Sequence, residues 1–301
     1  MAAIIATVIV PSAARVEQLA TGFRFTEGPV WTRRGELLFS DIPCNTIFRW
    51  TQAGAVSEYR KPSGYDGNDA APGAHIGSNG LTLDAESRVI VCEHGNRRIT
   101  RIEANDRVTV LTDRYQGKRL NSPNDLVYRS DGTLYFTDPP YGLAGRDKDP
   151  RKELPFNGIY CLAGGTLRLL STELNRPNGL AFSPDEKHLV VANSDPARKI
   201  WMRFDVRADG TLENGSVFFD ATEAAQPGLP DGMKVDRLGN FYCTGPGGIW
   251  ILSPEGTHLD TIEFPEVPAN CAWGDEDART LYVTARTSIY RIRLSISGIR
   301  P

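Results

Sequence analysis

The chain reads as an all-β protein, a six-bladed β-propeller, on three observations. Six stretches repeat one pattern: a polar opener, a short apolar strand, a turn, and a second apolar or aromatic strand. The openers are Glu27, Asn79, Asn124, Asn178, Asp231 and Asn270, with a mean period of about 49 residues. A period of roughly 40–50 residues with several strands per unit is the signature of propeller blades. Finally, every opener carries a side-chain oxygen. The start of each innermost strand in a propeller faces the central channel, so six in-phase oxygens converge on one axis. That axis is where a divalent metal is expected.

Each unit supplies its elements in turn. The inner strands follow the openers in EGPVW, NGLTLD, NDLVY, NGLAF, DGMKV and NCAW. The turns TRRGE, DAESR, RSDGT, SPDEK, DRLGN and DEDAR are hairpin punctuation, rich in Asp, Ser and Gly. Second strands come next (LLFSD, VIVCE, TLYFTD, HLVVAN, FYCT, LYVT), then third strands (TIFRW, RRITRI, GIYCL, KIWMRF, GIWIL, SIYRI). These runs are β-branched and aromatic, as strands in packed sheets should be. A weaker outer strand closes most units. The last unit lacks room for one after SIYRI, and an N-terminal segment, ATVIV or RVEQLA, is expected to close the ring. Closure removes exposed sheet edges.

Composition sets the class. At 301 residues, 40% hydrophobic and 24% charged, the chain is expected to form one globular propeller domain over residues 1–301. A net charge of -3 without a long basic run argues against nucleic acid as a partner. Five cysteines without a CxxC pair suit a reducing compartment, so a cytoplasmic location is expected. The N-terminal MAAIIATVIVPSAA lacks the positive start of a secretory signal and is too short to span a bilayer; secretion is not excluded by it. No membrane partner is expected, and oligomeric state is not legible.

Two segments exceed ordinary loop length, Lys61–Ser78 and Asp138–Gly158. Strand parity puts both on the face where the inner strands begin, so they are expected to form a lid over the channel mouth. Taken singly, an N-G opener is turn chemistry. Six in phase, two of them acidic, favour ligation, because Glu27 and Asp231 would repel each other without a cation. Asn79 and Asn270 stay open as structural residues. Oxygen donors suit a hard cation, calcium first, with magnesium, manganese or zinc as alternatives.

EGPVW, SPNDL, RPNGLAFSPDE and PDGMKVDRLGN also resemble the motifs of the SMP-30/gluconolactonase/luciferin-regenerating family, most closely its bacterial gluconolactonase-like members. The resemblance runs from about Val16 to the C-terminus. It implies a six-bladed propeller with a catalytic divalent metal, ligands Glu27, Asn124, Asn178 and Asp231, and Asp231 as the catalytic carboxylate. The animal member has an Arg where Ser122 stands here, so its sugar contacts do not transfer at that position.

The expected reaction is opening of a sugar lactone, with the carbonyl on the metal and Asp231 as base or nucleophile. His75, Asn79, Asn121, Asp138, Tyr141 and Asn270 are the candidate substrate contacts. Polar ends of second strands (Asp41, Glu93, Asn193, Ser194, Arg286) and His94 fall near the same mouth, although turn chemistry is the simpler reading of each. No G-x-S-x-G elbow is present, which disfavours a serine hydrolase. Two alternatives remain: a phosphotriesterase at the same metal, and a non-catalytic binding propeller.

Overall fold

The structure is a computed structural model that describes residues 8–70 and 75–301. The start of the N-terminal run, the first two residues of ATVIV and part of the first lid segment lie outside these.

Six four-stranded antiparallel sheets form a ring. Blade 1 comprises Thr26–Trp31, Glu36–Asp41, Thr46–Thr51 and Val56–Arg60. Blades 2 to 5 repeat this order, with inner strands Ser78–Leu83, Leu126–Tyr128, Pro177–Phe182 and Met233–Val235. Blade 6 joins Pro268–Gly274, Thr280–Ala285 and Ser288–Arg293 to Glu17–Thr21, which is its outermost strand. Glu17 lies opposite Arg291, and the two side chains form an ion pair at 2.8 Å. Each inner strand touches the next, and the first touches the last.

Six separate apolar clusters fill the six gaps between blades. Trp31, Leu37, Phe39 and Trp50 of blade 1 meet Tyr282 and Ile289 of blade 6, for example. Tyr135, Ile159 and Cys161 of blade 3 meet Leu189, Val191 and Met202 of blade 4. Alternation along each strand thus serves both faces of the sheet, since every blade is packed on both sides. The channel itself is left to the short inner strands.

Two local devices aim the openers inward. Pairing register slips within the inner strand between Glu27 and Val30, Ser78 and Leu81, Pro177 and Leu180, and Pro268 and Asn270. Bulges of this kind re-aim side chains. The residue after the opener also has to be small where neighbouring backbones pass. A Cβ on Gly28 would fall 1.9 Å from the Asn79 carbonyl oxygen, and one on Gly179 2.3 Å from that of Asp231. This close approach explains the E-G, N-G and D-G spelling of four openers.

At the far end of the channel the same strands turn apolar. Val30, Leu81, Leu126, Leu180, Phe182 and Val235 surround a cavity of about 140 Å³. The C-terminal residues Ile299, Arg300 and Pro301 border it, anchored by Ile299 N–H to the Val235 carbonyl and by Arg300 to the Asp275 carbonyl. No helix among the described residues is long and apolar enough to cross a membrane.

Candidate active site

A cavity of about 580 Å³ occupies the opener end of the channel, within the range of small-molecule sites. Glu27, Asn79, Asn124, Asn178 and Asp231 form its floor, and His75, Tyr141, Leu143, Arg146 and Arg176 are in its wall. Residues of both long segments therefore stand at this mouth.

In three blades the polar end of the second strand holds the chain that leads into the opener. Asp41 accepts the Arg24 and Phe25 N–H groups at 3.0 and 3.2 Å, just before Glu27. Asp138 accepts those of Asn121 and Ser122, both at 2.8 Å, just before Asn124. Asn193 accepts that of Arg176 at 2.9 Å, just before Asn178. Three blades thus solve the same problem with the same bond. This corrects the expectation for two residues: Asn121 and Asp138 are buried behind the cavity rather than lining it. The Asn121 amide donates to the Asp138 and Phe156 carbonyls. Glu93 is likewise engaged with Arg98 and Thr100.

Amide orientation is fixed from behind. Asn178 Nδ2 donates to Ser194 Oγ at 2.9 Å, and Ser194 in turn donates to the Pro230 carbonyl. Asn178 Oδ1 is left buried without a partner. Asn79 Nδ2 lies 3.3 Å from His94 Nε2, and Asn79 Oδ1 is also buried and unpartnered. His94 must then accept at Nε2 and stay neutral. Burial, with the charge of His75 second, pushes its pKa down to about 3.

Asn270 does not reach the cavity. It lies beneath the floor, where its Nδ2 donates to Asp125 Oδ2 at 3.2 Å and its Oδ1 faces Lys234 Nζ at 3.5 Å. Sequence reasoning missed both partners. Asp125 stands one place after its opener, where four of the other units have glycine, and that departure was the available signal. Three carboxylates therefore crowd the axis: Glu27, Asp125 and Asp231. Burial, and then the other carboxylates, raise Asp231 well above the usual range. Burial also lifts Glu27 to about 7 against a 2.7 Å bond from Gly28 N–H.

These features fit a cation. Asp231 Oδ1 and Asn178 Oδ1 are buried without partners, and two acids that repel each other would both be favoured in ionised form by a positive charge between them. The donors are carboxylate and carboxamide oxygens. Among the described residues no cluster of three or more His, Cys, Asp or Glu side chains has metal-binding geometry. A mixed oxygen set of this kind is the chemistry of hard ions.

Residues 25–287 match the family described as the SMP-30/Gluconolactonase/LRE-like region. The gluconolactonase of Zymomonas mobilis is 39% identical over 297 residues, covering 94% of this chain and 82% of the relative. A solved gluconolactonase from Xanthomonas campestris superposes with a TM-score of 0.81 at 33% identity, covering 94% and 90% of the two chains. The fold extends to a calcium-binding protein, regucalcin, from Agrobacterium tumefaciens, at 19% identity and a TM-score of 0.76 over 98% of each chain.

Proposed function

The chain belongs to the SMP-30/gluconolactonase/LRE-like family, and from that membership we propose that it hydrolyses the internal ester of a sugar lactone. The observation that carries this is the channel floor, where two buried carboxylates and two amides, one with its oxygen unpartnered and held from behind, point into one small-molecule cavity.

Glu27, Asn124, Asn178 and Asp231 are the residues that would hold a divalent cation, calcium by the character of its donors. When bound, such an ion supplies Lewis-acid polarisation of the lactone carbonyl and neutralises the two acids. Asp231 then works as a carboxylate in one of two ways. As a base it accepts a proton from water while the water oxygen bonds to the carbonyl carbon; the ring C–O bond breaks and the proton passes to the ring oxygen. As a nucleophile it bonds to that carbon itself while the ring C–O bond breaks and the ring oxygen takes a proton from water. The hydroxide so formed then adds to the acyl carbon, and the bond to Asp231 breaks to release the open acid and return the carboxylate. Asn178 is held for its task by Ser194. The Tyr141 hydroxyl, buried and unpartnered, and the Asn79 oxygen offer a donor and an acceptor for sugar hydroxyls.

The test is acid release from glucono-1,5-lactone above the spontaneous rate, measured with and without chelator, alongside a phosphotriester. Chelator-sensitive lactone hydrolysis that exceeds phosphotriester hydrolysis supports the reading. Faster phosphotriester hydrolysis, or lactone hydrolysis indifferent to thorough chelation, overturns it.

A further inference from the structure

Three openers bring an amide to the cavity floor, and two of those amides have a side chain behind them. Asn178 is held by Ser194, and Asn79 faces His94. Asn124 is different. It is buried in the floor, yet no side chain among the described residues bonds to its amide. Its inner strand gives little help, because that strand starts only at Leu126 and shows no register slip. The direction of the Asn124 side chain therefore follows from the backbone run that leads into it, residues 119–122.

That run is clamped from two sides. Asp138 takes the N–H groups of Asn121 and Ser122. The carbonyls go to Arg97, whose Nε donates to Leu120 at 2.7 Å and to Asn121 at 3.1 Å. The same guanidinium reaches the second lid segment, where Nη1 donates to the Arg151 carbonyl at 2.8 Å. Glu153 of that segment in turn accepts the Arg119 N–H at 2.8 Å. Arg97 itself belongs to blade 2, in the turn between Val89–Glu93 and Arg98–Ile102, and is 4% exposed. Its side-chain bonds all go to carbonyls, so among the described residues a full charge is buried without a carboxylate in ion-pair contact. A charge buried in this way is costly unless it is well hydrogen-bonded. Packing alone would be served as well by an apolar side chain, whereas five N–H donors on one plane suit a group that must hold two segments at once.

We infer that Arg97 is a positioning residue for the cation site: by pinning residues 119–122 to the second lid segment, it fixes the direction in which Asn124 offers its oxygen. This rests on the reading of Asn124 as a ligand and goes beyond it. One turn of blade 2 then serves two openers, Asn79 through the His94 ring and Asn124 through the Arg97 guanidinium. Without the pin the oxygen is still present, but its direction is no longer set, and an ion that needs several oxygens at once is held less tightly.

Calcium titration by calorimetry on the chelator-stripped full chain tests this. Arg97→Gln should bind calcium about ten-fold more weakly than the parent, the usual scale for a residue that orients a ligand. Arg97→Lys, which keeps the charge and cannot span both segments, should fall between the two. If Arg97→Gln does not fold, Arg97→Lys carries the same comparison. A second readout needs no metal: the Asn124 side-chain amide resonances, assigned with Asn124→Asp, should shift in Arg97→Gln while those of Asn178 stay. Trp273→Ala, a loss of packing at the far end of the channel, should keep the parental affinity. An affinity in the folded Arg97 variant within about two-fold of the parental value, or unmoved Asn124 resonances, overturns the inference and leaves the cation reading standing. An equal loss of affinity in Trp273→Ala overturns it too, because general instability would then account for the effect. A parent chain that binds no calcium, magnesium or manganese overturns the cation reading and this inference with it.

Discussion

The two ends of the channel are built from the same six strands and differ in almost every property. At the opener end, buried oxygens of Asn79, Asn178 and Asp231 have no partner, and three carboxylates are packed within one ring. At the other end Val30, Leu81, Leu126, Leu180 and Phe182 enclose a small apolar space beside the C-terminal residues. One end keeps unsatisfied polar groups, which cost free energy unless a ligand meets them. The other buries apolar surface and stabilises the ring. A strand such as EGPVW carries both within five residues, so function and stability are separated along each strand rather than between strands.

That separation makes predictions, and the largest concerns Asp231. Replacing it with Asn should lower turnover by about 10²–10⁴-fold, the usual worth of acid–base help, while thermal stability holds or rises because a buried acid is gone. Turnover and metal content measured on one preparation decide the matter. A variant that keeps its metal and near-parental turnover would remove Asp231 from the chemistry and blur the contrast. Asn124→Asp, which keeps an oxygen and adds charge, should retain the metal.

Trp273 tests the opposite end. It is 2% exposed, with its ring edge-on to Tyr242 at 4.8 Å. Trp273→Ala should cost about 3–5 kcal/mol in urea unfolding, with kcat of the folded fraction close to parental. A loss of kcat without a loss of stability would show that the two ends are coupled.

Metal binding should stabilise through the opener end alone. Calcium at a hundred-fold excess over its dissociation constant raises unfolding free energy by about 2.7 kcal/mol. The Trp273→Ala protein should show the same increment and Glu27→Gln a smaller one, read as shifts in urea midpoint. An equal shift in Glu27→Gln would move the ion elsewhere.

Acidification offers the smallest effect per step. The His94 pKa is about 3 in the folded chain against 6.5 when exposed, owing chiefly to burial. Between those values the unfolded chain binds a proton that the folded chain refuses, so stability falls as pH drops from 6.5 towards 3. Asp138 acts in the other direction, because burial lifts it to about 7 from 3.8 and the folded chain takes its proton first. Comparing the parent with His94→Gln cancels Asp138. The parent should lose ground at up to about 1.4 kcal/mol per pH unit. A parallel pair of stability curves would mean that His94 is not held neutral.

Much of this was legible because repetition does what a single motif cannot. The phase of Glu27, Asn79, Asn124, Asn178, Asp231 and Asn270 fixes an axis without any knowledge of packing. What phase does not give is the direction of a side chain at a strand end. Asp138 and Asn121 looked like mouth residues by position, yet the backbone leading into Asn124 needs a carboxylate behind it, and Asp138 turns that way. Asn270 kept its phase and still missed the cavity, because Asp125 and Lys234 draw its amide below the floor. The rim was least legible of all. Arg146 depends on a loop conformation, and nothing periodic marks it.

The last blade has a consequence for assembly. Its outermost strand, Glu17–Thr21, is made first, and the strand it pairs with, Ser288–Arg293, is made nearly last. During synthesis the early strand waits, unpaired, for almost the whole chain, and contacts of such long sequence separation form slowly. A second chain that offers its own Ser288–Arg293 edge in that interval meets a compatible partner, so exchange of this strand between copies is the natural misassembly of the ring. The same adjacency makes Glu17–Thr21 movable. Spliced after Ser288–Arg293 through a short linker, it would complete its sheet as a neighbouring hairpin and take the wait out of folding.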